Sequence, residues 1–80
     1  MTTKRTIREW LAEGKRLSAT HVLSVSDTYD WEDYPVYVLS SQDVLKKIKD
    51  YSSNMQRINE VYNLSLDIEK QLNESRAYNV

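Results

Sequence analysis

Apolar residues recur at helical spacing in the first part of the chain. They are Ile7, Trp10, Leu11, Gly14 and Leu17. Spacings of three and four residues place them on one face of a helix. Thr6 and Glu9 form a capping box ahead of most of them, so the pattern predicts a helix over residues 6–17. Gly14, the only glycine of the chain, predicts close packing of that face against another element.

Two β-strands are predicted to follow this helix. Residues 19–26 are rich in β-branched side chains, which favour a strand. Alternation places His21, Leu23 and Val25 on one face and Thr20, Val22, Ser24 and Ser26 on the other. The second strand spans residues 34–39, with Pro35 at its start or on a sheet edge because proline has no amide donor. Adjacent short strands most simply pair antiparallel.

Three further helices are predicted after the strands. They span residues 41–51, 54–63 and 65–76, with caps at Ser40 or Ser41, at Ser53 and at Ser65. The middle helix takes its apolar stripe from Met55, Ile58, Val61 and Tyr62. The pattern leaves open whether the last two helices are one. The predicted fold class is α+β, in the order α-β-β-α-α-α, with one domain over residues 1–80.

The small size of the chain bears on its oligomeric state. A domain of about 60 residues buries only about 60% of the surface that its unfolded chain exposes, and this chain of 80 residues is little larger. It has no cysteine for a disulfide, and its single histidine argues against a structural zinc site. A two-stranded antiparallel sheet also leaves open edges. We therefore expect helices to pack on the sheet and self-association, as a homo-oligomer, to complete it.

Composition and charge distinguish between classes of function. The amino terminus is polar, and no apolar run is long enough to span a bilayer, which predicts a cytoplasmic protein without a membrane partner. The formal net charge is −1. A protein that binds nucleic acid nonspecifically usually has a clear basic excess, so this class is disfavoured. No cofactor motif is present.

The connection between the predicted strands is acidic and aromatic. It holds Asp27, Tyr29, Asp30, Trp31, Glu32 and Asp33. Carboxylates at this density could hold Mg²⁺ or Ca²⁺, but the spacing and the missing glycine do not fit an EF-hand loop. The simplest interpretation is a solvated turn in which Asp side chains bond the backbone. The alternative is a partner-binding segment that uses Asp27, Asp30, Trp31, Glu32 and Asp33.

Signals for catalysis are weak. His21 has no cysteine or second histidine near it, although it could serve as a general base. Ser24 and Ser26 lack the flanking glycines of a nucleophile elbow. One glycine cannot build a phosphate-binding loop. We expect a protein that is not an enzyme, with a metal-dependent hydrolase using the acids of residues 27–33 as the weaker alternative.

Two arginines are predicted to lie near apolar helix faces. Arg76 continues the inward stripe of the last helix, and Arg57 borders the stripe of the helix before it. Such stems often cover apolar surface while the charged head stays in water. The sharper hypothesis is an anion clamp, since guanidinium groups bind phosphate in a bidentate manner. The predicted ligand site then comprises Arg57, Arg76, Tyr29, Tyr34 and Tyr37, with the rings available for stacking.

Three stretches of the chain carry a resemblance. They are Trp-Leu-Ala-Glu-Gly-Lys at 10–15, Asp-Thr-Tyr-Asp-Trp-Glu-Asp-Tyr-Pro-Val-Tyr-Val at 27–38 and Asn-Met-Gln-Arg-Ile-Asn-Glu-Val-Tyr-Asn-Leu-Ser-Leu at 54–66. With them the chain resembles a family of small accessory proteins of tailed bacteriophages. The resemblance implies an anti-defence role, by blocking a host protein or by sequestering a nucleotide immune signal.

Together these observations give a leading hypothesis and one alternative. The leading hypothesis is a homo-oligomeric, non-enzymatic protein of the host cytoplasm that sequesters a small anionic ligand, a host nucleotide signal. The alternative is a protein–protein inhibitor that presents residues 27–34 to a basic host surface, with the aromatic side chains as anchors.

Overall fold

The protein folds as a three-stranded antiparallel sheet with helices on both faces. The computed structural model describes residues 3–53, 55–74 and 76–80. Its elements are α1 (Lys4–Arg16), β1 (Ala19–Asp27), β2 (Glu32–Leu39), α2 (Val44–Asp50), β3 (Gln56–Asn63) and α3 (Ile68–Leu72). The α+β class is confirmed, and the order is α-β-β-α-β-α.

The β1–β2 hairpin follows the sequence pattern. The strands pair antiparallel, with Ser24 opposite Pro35 and Ser26 opposite Asp33. The predicted alternation is confirmed, since Val22 packs in one core and Leu23 in the core on the other face. The strands are ordered β2-β1-β3, so Pro35 lies in an edge strand, where its missing amide costs least.

The helix predicted over residues 54–63 is wrong, because residues 56–63 form β3; residue 54 lies outside the described residues. β3 pairs antiparallel with β1, and Ser24 lies opposite Glu60 while the next residue, Val25, lies opposite Ile58. Asn59 is therefore the extra residue of a β-bulge. The bulge lets Ile58 and Val61 share one face of the sheet. Their spacing of three residues imitates a helical stripe although the backbone is extended.

The predicted two-stranded sheet is also wrong, since the third strand comes from the same chain. The carboxy-terminal segment covers part of the outer edge of β3: the Val61 amide donates to the Ala77 carbonyl at 2.9 Å, and the Asn79 amide donates to the Val61 carbonyl at 3.0 Å. No described strand pairs with the outer edge of β2. Self-association is not needed to supply a third strand, and it stays a prediction.

The helices begin at caps other than those predicted. Thr3 caps α1, Asp43 caps α2 and Asp67 caps α3. Each side chain accepts a hydrogen bond from a backbone amide of the first turn, at 3.3 Å, 2.9 Å and 3.2 Å respectively. The capping box of Thr6 and Glu9 and the caps at Ser40, Ser41, Ser53 and Ser65 are therefore wrong.

Of the last predicted helix, over residues 65–76, the described residues keep the five of α3; residue 75 lies outside them. Asn63 Oδ1 accepts from the Ser65 amide at 2.9 Å, which forms a turn before the helix. Gln71 is buried, and it pairs with the backbone of Asn63 through both ends of its amide, at 2.8 and 2.9 Å. This pairing fixes α3 beside the end of β3.

Two apolar cores flank the sheet. On one face α1 and α3 cover buried residues that include Ile7, Leu11, Val22, Tyr62 and Leu72. On the other face α2 covers Leu23, Val25, Val36, Val38, Ile58 and Val61. Gly14 lies in the first interface, where an added Cβ would lie 2.7 Å from Val22 Cγ2 and 3.1 Å from Leu64 Cδ1. The predicted close packing at Gly14 is confirmed.

We expect Gly14→Ala to destabilise the protein by about 1–3 kcal/mol. Alanine improves helix propensity by about 1 kcal/mol, but Val22 is buried and stiff at χ1 and cannot make room cheaply. Urea unfolding measures the change. Ala12→Gly, at an exposed position of the same helix, is the matched control and should cost about 1 kcal/mol through propensity alone. A more stable Gly14→Ala protein would contradict the tight contact.

Candidate functional site

A polar groove of about 750 Å³ opens on the sheet face that carries α1. α1 covers the part of this face that bears Val22 and Tyr37. Beyond α1 the same face continues with Ser24 and Ser26, whose side chains are too small to fill the space. The groove therefore begins beside the first turns of α1, at Lys4 and Ile7, and runs toward the β1–β2 turn.

The floor of the groove is a chain of hydrogen bonds across all three strands. Asn59 Nδ2 donates to Ser26 Oγ at 2.6 Å, and the Ser26 hydroxyl donates to Asp33 Oδ1. Asn59 is the bulge residue of β3, while Ser26 and Asp33 lie opposite each other in β1 and β2. The bulge thus presents an amide to the same face as the two strand residues.

Among the described residues, the cations that line the groove are Lys4, Arg57 and Arg76. Arg57 lies opposite Ser26 and is exposed. Arg76 does not lie on a helix as predicted; it follows α3, and its guanidinium donates to the carbonyls of Asn59 at 3.0 Å and Ile58 at 3.2 Å. These bonds brace the bulge and use two of the five N–H donors of Arg76.

The carboxylates in the described lining of the same groove are those of Asp33, Glu60 and Glu74. Glu60 Oε2 accepts a hydrogen bond from the Tyr62 hydroxyl at 2.7 Å. Burial, and the bond to Glu60, raise the pKa of Tyr62, so its hydroxyl stays a donor and orients the Glu60 carboxylate. A lining that holds both cations and carboxylates suits a ligand that carries both negative charge and N–H donors.

The structure does not bring the three predicted tyrosines to the groove. Tyr29 is 73% exposed in the β1–β2 turn. Tyr34 packs on the opposite core, where its hydroxyl accepts from Gln56 Nε2 at 2.6 Å, and Tyr37 packs under α1. Burial raises the pKa of both Tyr34 and Tyr37. The aromatic rings that do line the groove are those of Trp31 and Tyr62.

The acidic side chains of residues 27–33 do not gather at one point. Asp27 Oδ1 accepts from the backbone amides of Tyr29 at 2.8 Å and Asp30 at 3.4 Å, which is the predicted turn bonding. Asp30 and Glu32 are exposed, whereas Asp33 lines the groove. Within residues 3–53, 55–74 and 76–80, no three acidic or histidine side chains gather closely enough to hold a metal ion.

His21 lies on the other face of the sheet and does not line the groove. The Thr20 hydroxyl donates to the Val38 carbonyl at 3.2 Å, so it accepts from His21 Nδ1 at 2.9 Å. Nε2 is then a bare acceptor, and it is buried without a partner among the described residues. Burial lowers the pKa of His21.

Comparison with protein-family models, with curated proteins and with solved structures gave no match for this chain. None of the helices described here has the length and apolar character needed to cross a membrane.

We expect the pH dependence of stability to report the protonation of His21. The pKa of His21 in the folded protein lies below its value of about 6.5 in the unfolded chain. As the pH falls through 6.5, the unfolded state therefore binds the proton before the folded state does. The free energy of unfolding decreases as a result. The interval from pH 7.5 to 5.5 lies above the reference pKa values of carboxyl groups, which are near 4, and contains the reference value of histidine. His21→Leu should remove the decline in this interval, as measured by urea midpoints. An unchanged slope in the variant would contradict the assignment.

Proposed function

We propose that this protein binds and sequesters a small anionic ligand of the nucleotide type, without chemical turnover. The observation that carries the proposal is the convergence of Arg57, Arg76 and Trp31 on one groove. The volume of about 750 Å³ lies within the usual range of small-molecule sites, about 300–1,000 Å³.

The groove offers a distinct partner for each part of a nucleotide. Guanidinium groups of Arg57 and Arg76 bind phosphate oxygens through charge-assisted bonds. The Trp31 ring, which is 76% exposed, can lie against a base and lose water-exposed area in doing so. Asn59, which is half-buried and donates to Ser26 through Nδ2, adds a neutral acceptor for a ribose hydroxyl through its side-chain oxygen.

Binding without turnover is supported by what faces the groove. The one histidine of the chain lies on the opposite face of the sheet. The Ser26 hydroxyl accepts from Asn59 and donates to Asp33, so it already has partners on both sides. The phage resemblance supplies the biological setting of the proposal, in which the ligand is a host nucleotide immune signal held in the host cytoplasm.

Arg57→Gln should weaken nucleotide binding by about tenfold or more, because a hydrogen bond to a charged group contributes about 1.5–3 kcal/mol. Thermal shift with mononucleotides, cyclic dinucleotides and ADP-ribose derivatives measures binding, since a ligand at 100 times its Kd adds about 2.7 kcal/mol of stability. Arg5→Gln is the matched control: it removes the same charge at an exposed position of α1 outside the groove.

Two results would overturn this proposal. One is the absence of a shift across the whole panel with the wild-type protein. The other is an equal shift for the wild-type protein and Arg57→Gln. Recovery of the intact ligand after heat denaturation distinguishes sequestration from hydrolysis.

A second candidate function is inhibition of a basic host protein, and the β1–β2 turn favours it. Tyr29, Trp31 and Met55 are 73%, 76% and 58% exposed. They lie at the same end of the sheet, since the Thr28 amide donates to the Met55 carbonyl at 2.7 Å. Exposed aromatic side chains with neighbouring acids are typical anchors of a protein interface. Trp31 also lines the groove, so the turn and the groove are adjoining sites.

Tyr29→Ala separates the second candidate from the first, because Tyr29 does not line the groove. If the turn binds a host protein, the variant should lose about tenfold or more in affinity for it, since anchor residues contribute at least about 2 kcal/mol. Affinity capture from host lysate followed by titration of the retained protein measures this. Leu45→Ala, at a residue of α2 that is 62% exposed, is the control. Equal retention by both variants would exclude the turn as the interface.

A further inference from the structure

The carboxylates of the groove have no role in holding phosphate. Glu60 lies in β3 opposite Ser24, is half-buried and lines the groove. A carboxylate repels a phosphate placed beside it, even in a groove that also holds two arginines. Its presence therefore points to a part of the ligand that donates hydrogen bonds.

Glu60 is prepared to accept such bonds. Tyr62, only 1% exposed, donates to Oε2 and limits the rotation of the carboxylate. An ionised carboxylate has about four acceptor positions, and the Tyr62 bond occupies one of them. Two parallel N–H groups of a ligand can therefore be accepted side by side, with little further loss of conformational freedom.

Among the common bases, guanine presents two adjacent donors on its Watson–Crick edge, the ring N–H and the amino group. Adenine and cytosine place one amino group beside a ring nitrogen that is an acceptor, and this lone pair would face a carboxylate oxygen. We propose that the groove selects guanine nucleotides, with Glu60 accepting both donors of the base. The inference rests on the nucleotide-binding function proposed above and names the base that the site selects.

The positions of the charged residues fit this orientation. Glu60 and Arg57 lie opposite Ser24 and Ser26, two positions apart on β1. Two residues of a strand span about 7 Å, and Arg57 is the one of the pair that lies nearer the β1–β2 turn. The phosphate then lies near Arg57 and the base edge near Glu60. Trp31 borders the same groove and can cover the ring plane.

Titration of the wild-type protein with GMP, inosine monophosphate and AMP tests the base. GMP should bind about tenfold tighter than AMP, with inosine monophosphate between them because it lacks the amino group and loses one of the two bonds. Cyclic di-GMP presents the same guanine edge with phosphodiester charge. A guanine preference in either the linear or the cyclic series supports the proposal and identifies the form of the ligand.

The variant Glu60→Gln tests whether Glu60 is the residue that selects guanine over adenine. The amide keeps an acceptor for Tyr62 but replaces one acceptor facing the base by a donor, so the ratio of GMP to AMP affinity should fall to about one. Glu9→Gln, at an exposed position of α1 outside the groove, should keep the ratio. Thermal unfolding of both variants checks that the fold is kept, and the inosine comparison needs no variant at all.

Equal affinities for GMP, inosine monophosphate and AMP would overturn the guanine assignment and leave the nucleotide-binding proposal intact. A preference that survives in Glu60→Gln would overturn the role of Glu60. Absence of binding by every nucleotide would overturn the proposed function and this inference with it.

Discussion

One extra residue in β3 sets the geometry on which the groove depends. Asn59 is inserted into the pairing with β1 and directs its amide to Ser26. Without this bulge, the strict alternation of a strand would place Asn59 and Glu60 on opposite faces of the sheet. With it, both line the groove, while Ile58 and Val61 remain in the opposite core. Arg76 bonds the two carbonyls at this point, so the carboxy-terminal segment holds the irregularity in place.

The same bulge limits how much of the fold is predictable from sequence. The hairpin is predictable because β-branched content and alternation act locally in residues 19–26 and 34–39. Residues 56–63 are mistaken for a helix because Ile58 and Val61, which share one face of the sheet across the bulge, are three residues apart. The same spacing places residues on one face of a helix. The distinguishing contact is with β1, whose paired residues lie 29 to 42 positions away in the chain. No pattern in a local window contains that information.

The arginines of the site are predictable from the sequence, and its aromatic residues are less so. The apolar pattern of the sequence predicts Arg57 and Arg76 on neighbouring helix faces. Both arginines line one groove, although neither lies on a helix. Tyr34 and Tyr37 are three residues apart on a strand, so the pleat sends them to opposite faces. The alternating hydroxyls of residues 20–26 were the usable signal, because small polar side chains on one strand face leave room for a groove.

The pairing of β3 with β1 has a consequence for folding. The β1–β2 hairpin closes a short loop, whereas β3 joins β1 only after the chain has passed through α2. Pairings of greater sequence separation cost more loop entropy before their contacts form. The hydrogen-bond chain of Asn59, Ser26 and Asp33 requires all three strands. The groove therefore exists only once β3 has joined the β1–β2 hairpin, and occupancy of the groove would report completion of the whole sheet.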